Sequence, residues 1–403
     1  MTRVSLSQAW DLLCDAEAFG PGVESEHVPL EEAQGRIASR DLAAPWPVPV
    51  RPQAGMDGYA VAAGTCRRGE AYPVAGELVP GVVPEAPLSA GQAWRVMTGA
   101  FLPDGADAVV PVESVQETED GRVLLRTDPV PGEHVIPRAR FFREGQRLLC
   151  AGQRITPQDV GNLATFGFHR VAVWEPLEVA ILTLGSELRE VREGGPPGTC
   201  FNSNAYHLAA WIQTAGGKPR VLPVAPDAPD AVRTALESAM VSPLVITTGG
   251  TAKGRYDFVK RAVLALGGEI FWDGMRVSPG STGALSHISG VPVVSLPGTA
   301  AAVAPLFHAL VKPLFLRLAG ANFFRPRPVP VRLGAPVRKA PGVTKLSAAV
   351  LVNREGTLVA EPSDNVQAVD GYLLLPEEAE ALDAGTLVDC LLTAEMHLSR
   401  TGP

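Results

Sequence analysis

The residues best suited to chemistry are concentrated in residues 244–257, Leu-Val-Ile-Thr-Thr-Gly-Gly-Thr-Ala-Lys-Gly-Arg-Tyr-Asp. An apolar β-branched run enters a glycine pair and then a segment with helical character. Gly249 and Gly250 allow backbone to approach a ligand closely, and a helix start offers unpaired N–H groups and a positive dipole end. Lys253-Gly254 is followed by Arg255, where a nucleotide P-loop needs Lys and then Ser or Thr, and no G-x-G-x-x-G follows the strand. The chemistry is therefore anion binding without a nucleotide fingerprint.

Other short motifs carry similar residue types. Asp57 lies between Met56 and Gly58, and Thr98-Gly99 pairs a hydroxyl with bare backbone. Gly185-Ser186-Glu187, Asn202-Ser203-Asn204, Asp227 and Asp257 each follow a strand or open a helix. Ser278-Pro279-Gly280-Ser281-Thr282-Gly283 and Pro297-Gly298-Thr299 are further tight loops. A turn or a helix cap accounts for most of these singly. Three polar residues in a row at 202–204 exceed what capping requires, and several carboxylates at one sheet end repel unless they share a cation or proton. The seven histidines are dispersed without metal spacing, and no G-x-S-x-G elbow is present.

The elements that must position these loops can be read from hydrophobic period. Strands at 179–184, 220–224, 244–248 and 291–296 alternate with helices at 204–215, 230–240, 257–266 and 299–318, the last bent or interrupted at Pro305 and Pro313. Strands alternating with helices predict a doubly wound parallel sheet, with ligands beyond the strands' carboxyl ends. Upstream lie an amphipathic helix at 5–18, a short helical piece within 28–43, and a helix at 158–166 beginning after Pro157. Between them, short strands split by Gly and Pro suggest an inserted β-rich domain. Residues 322–330 read as a Pro-rich linker, and strands at 345–352, 357–361, 372–375 and 387–393 suggest a C-terminal β-barrel. The expected organisation is α/β multidomain: 1–43 with 137–168 as a small helical and extended linking domain, 44–136 inserted, 169–321 the α/β domain, and 322–403 the barrel.

The chain has 403 residues, 46% hydrophobic and 19% charged, enough for packed cores. Its net charge of −8 and lack of basic runs argue against nucleic acid or an anionic membrane as main partner. No stretch reads as a membrane span and no signal-peptide core opens the chain, so a cytoplasmic protein is expected. Its five scattered cysteines read as reduced thiols.

Taken together and in order, the motifs resemble the molybdopterin molybdenumtransferase family (MoeA and the gephyrin E domain). The resemblance runs through Met56-Asp57-Gly58-Tyr59-Ala60-Val61, Met97-Thr98-Gly99-Ala100, Gly105-Ala106-Asp107-Ala108-Val109 and Gly132-Glu133. It continues in Gly185-Ser186-Glu187-Leu188, Thr248-Gly249-Gly250 with Tyr256-Asp257, Pro279-Gly280 and Leu296-Pro297-Gly298. It implies an elongated four-domain homodimer of molybdenum cofactor biosynthesis, which inserts molybdate into adenylylated molybdopterin with release of AMP and uses Mg2+. Other proteins of that pathway are possible partners.

By matching position, Asp57, Glu187, Asp227 and Asp257 are the implied catalytic carboxylates, with Asp57 and Asp257 helping to place magnesium and molybdate. Thr98, Gly99, Ser203, Asn204, Gly249, Gly250, Thr251, Lys253, Arg255, Ser278, Gly280, Ser281, Pro297, Gly298 and Thr299 would contact the substrate. The chain departs from the family where a Lys-Pro-Gly-Lys-Pro loop is expected, because Ser278 and Ser281 replace both lysines. Lys253, Arg255 and Arg276 are candidates to restore the charge. The alternative is a molybdopterin-binding or scaffold paralogue that has lost turnover.

Overall fold

A computed structural model of the chain describes residues 3–14, 19, 22–251, 257–363 and 369–393. It divides into two compact units. One comprises Met1–Arg40, Ala151–Val160 and His169–Pro403, and the other Asp41–Cys150 with Gly161–Phe168.

The first unit is built on a six-stranded sheet. In chain order its strands are β1 (Glu178–Thr183), β2 (Lys218–Val221), β3 (Leu244–Thr248), β4 (Glu269–Asp273), β5 (Ala284–Ile288) and β6 (Val291–Leu296), and their spatial order is β2-β1-β3-β6-β5-β4. β2, β1, β3 and β6 are parallel, as their alternation with helices predicts. β5 runs antiparallel to both β6 and β4, so the sheet is mixed at one side. These two strands were not legible in the sequence.

Helices cover both faces. α1 (Ser203–Thr214) and α4 (Ala300–Leu306) pack one face against Val179, Ile181, Ile246 and Val294. α2 (Pro229–Ala239) and α3 (Phe258–Ala265) cover the other, against Ala180, Leu182, Val245 and Val293. Successive strand residues point to opposite faces, so the continuous apolar runs of β1 and β3 supply both cores at once.

α4 continues as a π-helical turn at Phe307–Val311 and an α-helix at Lys312–Leu318. The irregularity thus lies between the two prolines. Pro313 has no N–H for the carbonyl of Ala309, and that carbonyl instead accepts a 2.8 Å bond from Trp10 Nε1 on the N-terminal helix Leu6–Cys14. Arg317, itself buried, donates to the carbonyls of Leu13 at 2.6 Å and Phe19 at 2.7 Å. Contrary to the sequence reading, Ala300–Leu318 is apolar and long enough at 19 residues to cross a bilayer, but 78% of its apolar window is buried as the core helix of this unit.

The barrel in the same unit is closed. Thr344–Arg354 pairs with both Thr357–Pro362 and Gly371–Leu375, and the circuit returns through Val329–Leu333 and Leu387–Leu392. Part of the expected Pro-rich linker is therefore strand. Pro330 sits opposite Asp389, while pairing of Val329–Leu333 with Thr357–Pro362 begins only at Arg332, so its missing N–H breaks no ladder bond on that second side.

The second unit holds another six-stranded sheet, in the spatial order Ala108–Pro111, Gly58–Val61, Ala93–Val96, Ala71–Leu78, Arg122–Leu125 and Val115–Glu117. Tyr59, Val61, Ala93, Val110 and Val123 fill its larger core. Among the described residues Cys66, Cys150, Cys200 and Cys390 are free thiols.

Candidate active site

At the carboxyl ends of β1, β3 and β6 lies a cavity of about 590 Å3. The chain crosses here from one side of the sheet to the other, with β2 on one flank of β1 and β3 on the other. Ligands of open α/β sheets bind at such a switch point. The wall includes Glu187, Ser203, Asn204, Asp227, Gly249, Gly250, Thr251, Pro297, Gly298 and Thr299, so ten of the residues singled out in the sequence meet in one place.

Two glycine loops form its floor. Gly249 has φ +88°, and a Cβ there would lie 2.3 Å from the carbonyl oxygen of Leu184. A Cβ on Gly298 would stand 3.4 Å from the Gly249 Cα, so the loops after β3 and β6 lie against one another. Asn204, on the first turn of α1, fastens them. Its Nδ2 donates to Thr248 Oγ1 at 3.1 Å and to the Gly298 carbonyl at 2.8 Å, while Thr248 Oγ1 donates to the Pro297 carbonyl at 3.0 Å. Two acceptors on one side fix the amide orientation. Asn204 Oδ1 is then left buried without a partner among the described residues, as is Thr183 Oγ1 on the same wall. A buried acceptor without a donor calls for an explanation, and a ligand N–H supplies one.

Capping accounts for the neighbour: Asn202 Oδ1 accepts from Ala205 N at 3.4 Å. On the opposite side Ser186 Oγ accepts from the backbone N–H of Asp227 at 3.0 Å, tying the loops after β1 and β2. Glu187 and Asp227 are the charged side chains among the described lining residues, which include no lysine or arginine.

Asp257 is placed differently. It does not line this cavity; it caps α3, its Oδ1 accepting from Lys260 N at 3.4 Å. It borders a small adjoining pocket with Thr251, Lys260, Asp273 and Thr282. Burial, and then the charge of Asp273, raise its pKa above the ordinary carboxylate value. Lys260 is ion-paired with Asp273.

The Ser278–Thr282 loop also differs from expectation. Ser278 joins a short parallel pairing with Lys345 of the barrel, a Cβ on Gly280 would lie 2.7 Å from Leu306, and the Ser281 carbonyl accepts from Met275 N at 3.0 Å. These three residues are spent on packing. Thr282 reaches the cavity instead, its hydroxyl 3.3 Å from that of Thr251. Arg276 does not restore the charge: its Nε contacts Glu377 at 3.1 Å and its Nη1 donates to the Arg3 carbonyl at 2.8 Å. Lys253 and Arg255 lie outside the described residues.

The remaining candidates belong to the second unit. Asp57 Oδ1 accepts from both the backbone N and the hydroxyl of Thr98, each at 2.7 Å. These bonds, the backbone one foremost, hold the Asp57 pKa below its ordinary value. Gly58 permits the turn, because a Cβ there would fall 2.2 Å from the Val110 carbonyl oxygen. Gly99, at φ +85°, donates its N–H to the Ala54 carbonyl at 2.8 Å.

Sequence reasoning passed over Thr183, Leu184, Leu188, Cys200, Phe201 and Ala300, which also line the cavity. The signal for Thr183 was available, since it ends β1 as Thr248 ends β3.

Comparison with known proteins agrees with this geometry. The family described as "MoeA N-terminal region (domain I and II)" matches residues 4–167, and that described as "Probable molybdopterin binding domain" matches residues 180–317. A curated relative from Mycobacterium tuberculosis, molybdopterin molybdenumtransferase 2, is 30% identical over 377 residues, covering 89% of this chain and 93% of the relative. The molybdopterin molybdenumtransferase of Nostoc sp. is 32% identical over 306 residues, covering 74% and 70%. A solved structure of a molybdopterin biosynthesis MoeA protein from Pyrococcus superposes with a TM-score of 0.83 at 28% identity, covering 98% of this chain and 100% of that one. The cavity at the sheet's switch point falls within the stretch matched as a molybdopterin-binding domain, and the chain belongs to the molybdopterin molybdenumtransferase family.

Proposed function

We propose that this protein acts in molybdenum cofactor biosynthesis by inserting molybdate into adenylylated molybdopterin, with release of AMP. One observation carries the reading: Asn204 clamps the two glycine loops together and leaves Oδ1 as a buried acceptor at the cavity wall. A pterin ring is rich in N–H donors and would satisfy that oxygen. The start of α4 beside Gly298 and Thr299 presents helix N–H groups to the ligand's anionic part. Glu187 and Asp227 stand opposite as supporting carboxylates. The curated relatives are named as transferases, which favours turnover over the scaffold alternative.

Magnesium suits one of the two expected ligands. Mg2+ prefers hard oxygen donors and uses one or two carboxylates together with substrate phosphates. Asp57 fits, being exposed, ionised and bonded to Thr98 through Oδ1, with no bond to Oδ2 among the described residues. Asp257 fits poorly, since its carboxyl caps α3 and burial favours its protonated form. When bound, the ion would neutralise phosphate charge at the adenylyl group. We further propose a cytoplasmic homodimer.

The test is AMP release from adenylylated molybdopterin by the purified protein, with and without molybdate and Mg2+. Molybdate-dependent release is expected. Asn204→Ala should weaken substrate binding by about tenfold or more, the equivalent of one to two buried hydrogen bonds. Substrate that binds tightly but yields no AMP with molybdate present would sink the assignment.

A further inference from the structure

A second cavity, of about 550 Å3, lies elsewhere in the first unit and shares no lining residue with the one described above. Its wall is of another character. Trp211 and Phe307 stack with ring centroids 5.0 Å apart and planes 30° apart, and His308 meets Trp211 edge-on at 5.6 Å. Lys312 and Arg154 contribute positive charge, and no Asp or Glu is among its described lining residues. Arg154 spends Nη1 on the Gly35 carbonyl at 2.7 Å and Nη2 on the Ala215 carbonyl at 2.8 Å, which fixes the guanidinium at the wall.

His308 is the unexplained group. It is only 6% exposed, and neither ring nitrogen has a hydrogen-bond partner among the described residues. Burial, with Lys312 nearby, lowers its pKa to about 4, so the imidazole is neutral at physiological pH. A neutral imidazole offers one donor and one acceptor, and leaving both unmet in a protein interior costs roughly 1–3 kcal/mol apiece. The residue stands on the π-helical turn Phe307–Val311, a distortion frequent at functional sites. Nothing in the proposed molybdopterin chemistry uses it.

We propose that this cavity is a second ligand site, for a planar nitrogen heteroaromatic ring that carries an anionic group. The ring meets the apolar aromatic wall and exchanges a hydrogen bond with His308, and the anion is met by Lys312 and the field of Arg154. The cavity volume lies within the roughly 300–1,000 Å3 of small-molecule sites. The anion is either a phosphate, as in a nucleotide, or a carboxylate on the ring.

Calorimetric titration of the full chain with guanosine monophosphate, indole-3-carboxylate and neutral guanosine tests this. Saturable binding of either anion, with guanosine at least about tenfold weaker, is expected, and whichever anion binds better identifies the source. His308→Gln and Lys312→Met should each weaken that binding about tenfold. Ala321→Trp, which fills the cavity from a half-buried wall position, should abolish it, whereas Asn204→Ala at the other cavity should leave it unchanged. Absence of saturable binding by both anions overturns the proposal. So does binding that survives Ala321→Trp or is lost in Asn204→Ala.

Discussion

The two cavities of the first unit are nearly equal in volume, about 590 and 550 Å3, and opposite in construction. The first is walled by glycine loops, hydroxyls and two carboxylates, all from segments that leave the same end of one sheet. The second is walled by stacked aromatics and two cations, drawn from positions as distant in sequence as Ile37, Arg154, Trp211, His308 and Thr393. A site made by loops at a sheet end concentrates its signal in short contiguous motifs. A site made between elements uses one residue from each, and each of those has an ordinary structural reading of its own.

The contrast makes predictions that differ in size. The largest concerns the glycine floor. Gly249→Ala places a Cβ against a backbone carbonyl at a positive φ, where neither partner yields easily. A loss of about 3 kcal/mol or more in urea unfolding is expected, with loss of AMP release. Wild-type stability and turnover would mean that backbone approach does not define the first cavity.

The second prediction concerns pH. The His308 pKa in the folded chain, about 4, lies below the ordinary 6.5, so the unfolded chain takes up a proton between these values before the folded chain does. Stability contributed by the neutral imidazole is complete above pH 6.5 and is lost as pH falls towards 4, by at most about 3 kcal/mol. Tyr372, whose ring lies 5.8 Å from His308, stays neutral throughout, its pKa being pushed up to about 12 by burial. Unfolding free energies measured from pH 4 to 7 should fall more steeply with acid for wild type than for His308→Phe. Parallel curves would show that His308 titrates normally.

The smallest effect probes the helix that carries His308. Trp10→Phe removes the donor to the Ala309 carbonyl already released by Pro313. A cost of about 1–2 kcal/mol in thermal or chemical unfolding follows from one unmet buried acceptor. No measurable change would mean that water replaces the indole and that Trp10 does not brace the π turn.

How much was legible follows the same division. The four parallel strands and their helices were readable because each buries on both faces or shows a clear helical period. β4 and β5 were not: Ala284-Leu285-Ser286-His287-Ile288 mixes small and polar residues, and its strand character comes from pairing with β6. Val329–Leu333 was hidden by Pro330, since proline argues against a strand unless one flank is unpaired there. The resemblance located the Ser278–Thr282 loop correctly in sequence, but sequence position does not fix which side chains turn inward. Packing against Leu306 and pairing with the barrel decided that Thr282 alone of the loop faces the first cavity. Asp257 shows the reverse, a residue whose ordinary capping role is the one visible in its bonds.

The bonds from Arg317 to the carbonyls of Leu13 and Phe19 bear on how the chain is made. The N-terminal helix leaves the ribosome first, yet its buried anchor is encoded some three hundred residues later. During synthesis the apolar face of Leu6, Ala9 and Leu13 has no permanent cover while the whole of the second unit is translated. That second unit, nearly continuous in sequence, can fold on emergence. The first unit must wait for its own far end, so a nascent chain stalled before residue 317 would hold one finished unit and an opening segment still in need of a chaperone.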